Sequence, residues 1–144
     1  MMAAEAGAAF GIGRAVGTYV ITLLIFFAID LVWLGVVAKG FYQKHIGHLL
    51  SPDVNWAAAL LFYAIYIAGI VFFAVKPAFE GGGAIRALTY GAALGFVAYA
   101  TYDLTNQATM KDWPALVTVI DLAWGTVLTA SVAFLSYHAS SRVL

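Results

Sequence analysis

The chain has 144 residues, 64% of them hydrophobic and 10% charged, with seven basic and seven acidic side chains that balance to zero. A water-soluble domain is about a quarter charged, so this composition suits lipid, and the lack of any basic run excludes the electrostatic footprint of a nucleic-acid binder. There is no cysteine, which excludes disulfides and thiolate metal sites and leaves the redox compartment open.

Residues 1–13, "MMAAEAGAAFGIG", are small, Gly/Ala-rich and carry one charge, which predicts a poorly ordered or surface-lying tail ahead of a single domain over 14–144. Four apolar runs follow, each near the ~20 residues a helix needs to cross a hydrocarbon core of about 30 Å. The first, Ala15–Ala38, is too long for a secretory signal and is interrupted by Asp30, so it reads as a retained span. "KGFYQKHIGHLLSPDVN" then predicts a surface loop, with Ser-Pro-Asp stopping one helix and capping the next. Trp56–Val75 is the second run. "KPAFEGGGAIR" ends it with a proline and turns on three glycines, making a hairpin with the third run, Ala84–Ala108. "YDLTNQATMKDWP" lets that third helix reach Gln107 or beyond, then offers Trp113 as an interfacial residue and Pro114 as the first residue of the fourth run, Pro114–Tyr137. The predicted fold is all-α, an integral membrane four-helix bundle. Arg14, Lys76, Arg86 and Arg142 on one side against Lys39, Lys44 and Lys111 on the other place the N- and C-termini in the cytoplasm by the positive-inside rule.

Two phrases repeat. "IDLVWLG" at 29–35 and "IDLAWG" at 120–125 each set an aspartate among Ile, Leu, Val, Ala and Trp. At 1.5 Å per residue, Asp30 before Lys39 and Asp121 after Pro114 both lie about 10–14 Å below the same surface. Helical spacing adds Trp33 to the face of Asp30, and Trp124 and Gly125 to that of Asp121. On the third helix Tyr99, Tyr102, Asp103, Asn106 and Gln107 share one polar stripe, and the second contributes Tyr63 and Tyr66. These residues predict one polar, aromatic-walled cavity. A charge at the bilayer centre costs at least about 2.5–3.5 kcal/mol, so such groups face the bundle interior. Three carboxylates without an intramembrane Lys or Arg leave two solutions: some are neutral and donate hydrogen bonds, or a bound cation or water compensates them. The competing reading makes the aspartates interhelical hydrogen-bonding groups that only fix packing.

Weaker signals are the Gly13/Gly17 and Gly91/Gly95 pairs, read as internal close packing, and His45 and His48, whose i, i+3 spacing suits metal ligands but lacks a third and fourth partner. Tyr19, Tyr90 and Tyr137 read as interfacial belt residues. Phosphate loops, nucleophile elbows and HExxH are absent from the sequence, so no cofactor is assigned and no metal site is predicted.

Together, "DLVWLG", "YDLTNQATMKDWP" and "DLAWG" resemble a family of small bacterial inner-membrane proteins of unknown function with four predicted helices. The resemblance covers essentially the whole chain. It implies a multi-pass protein of the bacterial inner membrane and suggests a setting near enzymes that modify membrane fatty acids, but it carries over no catalytic role. The functional expectation is an intramembrane acidic and aromatic pocket for a small cationic or amphipathic ligand or for protons, acting against membrane lipid and, for transport, as a homo-oligomer. The alternatives are a lipid-modifying enzyme or enzyme subunit, with Asp30, Asp103 and Asp121 as acid/base or metal-binding groups, and a structural partner of another membrane protein.

Overall fold

The computed structural model describes residues 10–144, which form helices and short connections with no strand among them. Residues 1–9 of the predicted tail lie outside the described residues, and its last two, Ile12 and Gly13, already belong to the first helix. Helix α1, Ile12–Val32, runs on through a widened π-helical stretch, Trp33–Val37. Gly40, at φ 79°, then takes a left-handed turn that a side chain would resist, and the chain reverses into the short α2, Phe41–Ile46, followed by a 3₁₀ turn at Gly47–Leu49. Helix α3, Trp56–Ile70, starts on Asn55, whose side chain accepts from the Ala58 amide at 3.1 Å. It too widens into a π-helical stretch, Val71–Val75, and continues as α4, Lys76–Glu80. Gly82 and Gly83, at φ 90° and 63°, turn the chain into α5, Gly83–Thr109, and Pro114 precedes α6, Ala115–Val143.

Three helical stretches are long and apolar enough to cross a membrane: Ile12–Val37, Trp56–Glu80 and Ala115–Val143, with mean hydropathies of 2.6, 2.4 and 1.7. The third run read from the sequence is present as α5, a helix of 27 residues and so roughly 40 Å, but its polar stripe keeps it out of this group. Leu24, Leu31, Leu61, Ile65, Phe72 and Val127 all turn outward and are more than half exposed. Water would not tolerate so continuous an apolar surface, whereas lipid tails solvate it.

Inside, Phe26, Ile67, Ile70, Val75, Leu128 and Val132 form the apolar core. Hydroxyls stitch it: Thr18 and Ser140 share a hydrogen bond of 2.5 Å between α1 and α6, and Tyr66 and Thr129 one of 2.7 Å between α3 and α6. The Ile12 end of α1 therefore lies beside the Val143 end of α6, and the two helices run antiparallel. Glycines set the closest approach. A methyl at Gly91 would sit 2.7 Å from the Thr129 carbonyl oxygen, and one at Gly95 would overlap the Gly125 carbonyl. Gly91 and Gly95 thus serve packing between α5 and α6, whereas Gly13 meets nothing within 4 Å.

The connection before α3 differs from the surface loop expected. Ile46 is buried with Trp113 and Val117, and Phe41, Tyr42 and Leu49 pack around them. The reason is that Gly40 folds α2 back, so its apolar residues find the start of α6. Trp113 is consequently a buried residue that donates to the Thr118 hydroxyl at 3.1 Å, while Pro114 caps α6 one position earlier than expected. Tyr19 donates to the Ala64 carbonyl at 3.1 Å, joining α1 to α3.

Candidate functional site

Because α1 and α6 are antiparallel, the two repeated phrases meet head to tail. The indoles of Trp33 and Trp124 stack with centroids 4.3 Å apart and planes 8° from parallel. On one side of this pair, Trp33 Nε1 donates to the Tyr42 hydroxyl at 3.1 Å, and that hydroxyl donates to Asp121 Oδ1 at 2.7 Å. On the other, the Trp124 indole N–H faces Asp30 yet makes no formed hydrogen bond. Each aspartate is thus set against the tryptophan of the other phrase, directly or through Tyr42.

Asp103 lies behind Asp121, near enough for the two carboxyls to act on each other. It is 0% exposed, and neither of its oxygens receives a hydrogen from any other group. Asp30 and Asp121 are 8% and 6% exposed, so all three carboxyls belong to the interior. Burial, and then the hydrogen bond to Asp121, push the Tyr42 phenol above its ordinary range, so it remains a protonated donor.

A cavity of about 780 Å³ opens against these groups. Asp30 and Trp33 of α1 line it, as do Tyr63 and Tyr66 of α3, Tyr99 and Tyr102 of α5, and Asp121 and Trp124 of α6. Among the described residues, no Lys, Arg or His lines it. Of the twelve residues singled out from the sequence, eight are therefore on its wall, and Gln107 is exposed away from it. Asp103 sits one layer back, and Asn106, half-buried one turn along α5, is off the wall beside Tyr102. Gly125 completes the second phrase for a steric reason, since a methyl there would enter the Tyr99 ring.

Sequence reasoning missed Tyr42, Trp113 and Phe62, all of which line the cavity. Phe41-Tyr42 directly after Lys-Gly was the available signal, an aromatic pair in an otherwise polar connection. Among the described residues no group of three or more His, Asp or Glu could hold a metal ion. His45 packs against Phe41 with its ring tilted and the centroids 4.7 Å apart, and His48 is exposed.

Chemically, the arrangement offers negative charge, flat π-faces and no fixed positive charge in a space partly closed to water. That set suits a positively charged, partly apolar guest. An all-helical chain that keeps carboxyls inside and turns Leu, Phe and Val outward is a membrane protein. More particularly, the chain belongs to the family described as "Predicted membrane protein (DUF2177)", whose model matches residues 15–138. It is a family of unknown function, as the resemblance of the motifs implied. The chain matches no curated protein and no solved structure.

Proposed function

We propose that this protein binds a small amphipathic cation, such as a quaternary or protonated amine bearing an apolar body, in the cavity between Asp30 and Asp121. The observation that carries the reading is the wall itself: two carboxyls and the stacked Trp33/Trp124 pair on one cavity without a basic side chain. A cation over a tryptophan face gains about 0.5–2 kcal/mol, more as water is excluded, and a carboxylate partner adds to this. A cavity of about 780 Å³ also falls within the usual range for small-molecule sites, roughly 300–1,000 Å³. In this reading α5 is the fourth span, its polar stripe turned to the interior, and the bundle sits in the bacterial inner membrane with both termini cytoplasmic. One pathway through four helices is narrow, so movement of the guest across the bilayer would use a homo-oligomer.

Trp33 and Trp124 provide the assay. Titration of the detergent-purified protein with tetraphenylphosphonium should quench indole fluorescence saturably. Asp30→Asn and Asp121→Asn should each weaken binding at least about tenfold, equivalent to roughly 1.4 kcal/mol. A neutral analogue of the same size that binds equally well, or asparagine variants that bind like the parent, would overturn the proposal.

A further inference from the structure

Asp103 is not explained by a guest in the cavity. It does not line the wall, is completely buried, and has two oxygens with no donor. We propose that Asp103 and Asp121 form one proton-binding site, sharing a single proton at neutral pH, and that a monovalent cation seated against Asp121 takes the place of that proton. The second half rests on the cation-binding reading above, whereas the first does not.

The argument begins with donors and acceptors. Tyr42 supplies one hydrogen to Asp121 Oδ1. Asp103 receives none, and the group it faces is the Asp121 carboxyl, which when ionised has only lone pairs to offer. Two ionised carboxyls would place acceptor against acceptor and like charge against like charge in a buried site. The titratable groups around the pair are Asp30 from α1, Tyr42 from α2, Tyr66 from α3, and Tyr99 and Tyr102 from α5, and none can supply a positive charge. A metal ion shared by the pair would need further ligands, and the described residues bring no third His, Asp or Glu to it. One proton removes the conflict: an Asp103 O–H donates to Asp121, which then accepts from both Asp103 and Tyr42.

Tyr42 also decides which carboxyl keeps the proton. Asp121, with two hydrogens directed at it, is the better-solvated anion and lies on the cavity wall, while Asp103 has no other contact that would favour its charge. The pair then carries one negative charge facing the cavity. When a monovalent cation arrives, dissociation of the Asp103 O–H bond and escape of the proton to water through the cavity leave two carboxylates and one cation. The buried site again has one net negative charge. Exchange of one proton for one cation therefore leaves the charge held in the interior unchanged, which uncompensated cation entry would not.

Infrared spectroscopy tests the shared proton without any ligand. The unliganded protein at neutral pH should show the carbonyl band of a protonated carboxylic acid, and Asp103→Asn should lose it while its amide still donates to Asp121. Should that variant fail to fold, Asp121→Asn should keep the band at a shifted frequency, because the Asp103 O–H then meets an amide in place of a carboxylate. Absence of the band, or a band unchanged in both variants, would overturn the site. Calorimetric titration with tetraphenylphosphonium in two buffers of different ionisation enthalpy tests the exchange. About one proton should be released per cation bound by the parent and none by Asp103→Asn, with parental affinity rising about tenfold per pH unit where the pair is protonated. Binding without proton release overturns the exchange alone. A correct band with no cation binding sinks the cation reading and leaves the shared proton supported.

Discussion

Removing one oxygen atom, by Tyr42→Phe, tests whether the short helix α2 is part of the site or merely lies against it. The Tyr42 hydroxyl donates to Asp121 at 2.7 Å and accepts from Trp33 at 3.1 Å. A hydrogen bond to a charged partner contributes about 1.5–3 kcal/mol, and interhelical hydrogen bonds in membrane proteins average near 0.6 with a maximum near 1.7. Asp121 is only 6% exposed, so water cannot fully replace the lost donor, and the Trp33 N–H is left without its acceptor. The expected cost is therefore about 1.5–3 kcal/mol, toward the upper end of what such bonds contribute. Equilibrium unfolding in mixed micelles, followed by near-ultraviolet circular dichroism, measures it. Combining Tyr42→Phe with Asp121→Asn in a double-mutant cycle isolates the charge-assisted share, about half the total, because asparagine still accepts but carries no charge. A cost below about 0.5 kcal/mol, or no coupling between the two changes, would refute the claim that Tyr42 anchors α2 to the buried carboxyl.

Gly95→Ala should destabilise the fold by about 1–3 kcal/mol through overpacking, because its methyl would strike the Gly125 carbonyl and lie 2.7 Å from the Thr129 hydroxyl, whereas Gly35→Ala, with nothing within 4 Å, should stay within about 0.5 kcal/mol; melts of the two variants that coincide would contradict this. Single cysteines at positions 45 and 82 should react with an impermeant reagent from opposite sides of the membrane if all four long helices span, and labelling of both from one side would remove the four-span arrangement.

That Asp30 and Asp121 reach one cavity was legible because matching their levels needs only the helical rise and the ends of apolar runs, and the observed helices keep the relevant ends within a few residues. The Trp33–Trp124 stack was not, since spacing along one helix says nothing about which residue of an antiparallel neighbour stands opposite. Tyr42 escaped for a different reason. Its helix has six residues, too few to show a period, and Lys44, His45 and His48 made the segment read as solvated. What folds it inward is Ile46 against Trp113 and Val117, a contact across some seventy residues that local pattern cannot supply. The status of α5 shows the converse limit: its polar stripe was plain in the sequence, and that same stripe lowers its apolarity below that of the other three long helices.

The walls of the cavity are held by two kinds of contact. Helices α5 and α6, which carry Asp103 and Asp121, are locked by glycine contacts in which backbone meets backbone, as at Gly91 and Gly95. Overlap at such contacts is costly because neither side has a rotamer to change, so the two carboxyls are held on a rigid frame. Helices α1 and α3, which carry Asp30 and Tyr63, meet through side chains such as the edge-on rings of Phe27 and Tyr63, 4.9 Å apart, and leave between them an apolar groove of about 780 Å³ near Tyr19 and Phe72. Both helices also contain a π-helical stretch, and in α1 it begins at Trp33, three residues beyond Asp30. Such stretches are local departures from regular helix that recur at functional sites. Under the proposed cation reading, adjustment to a guest falls first on the side chains of α1 and α3, which have rotamers to change where the glycine contacts of α5 and α6 have none.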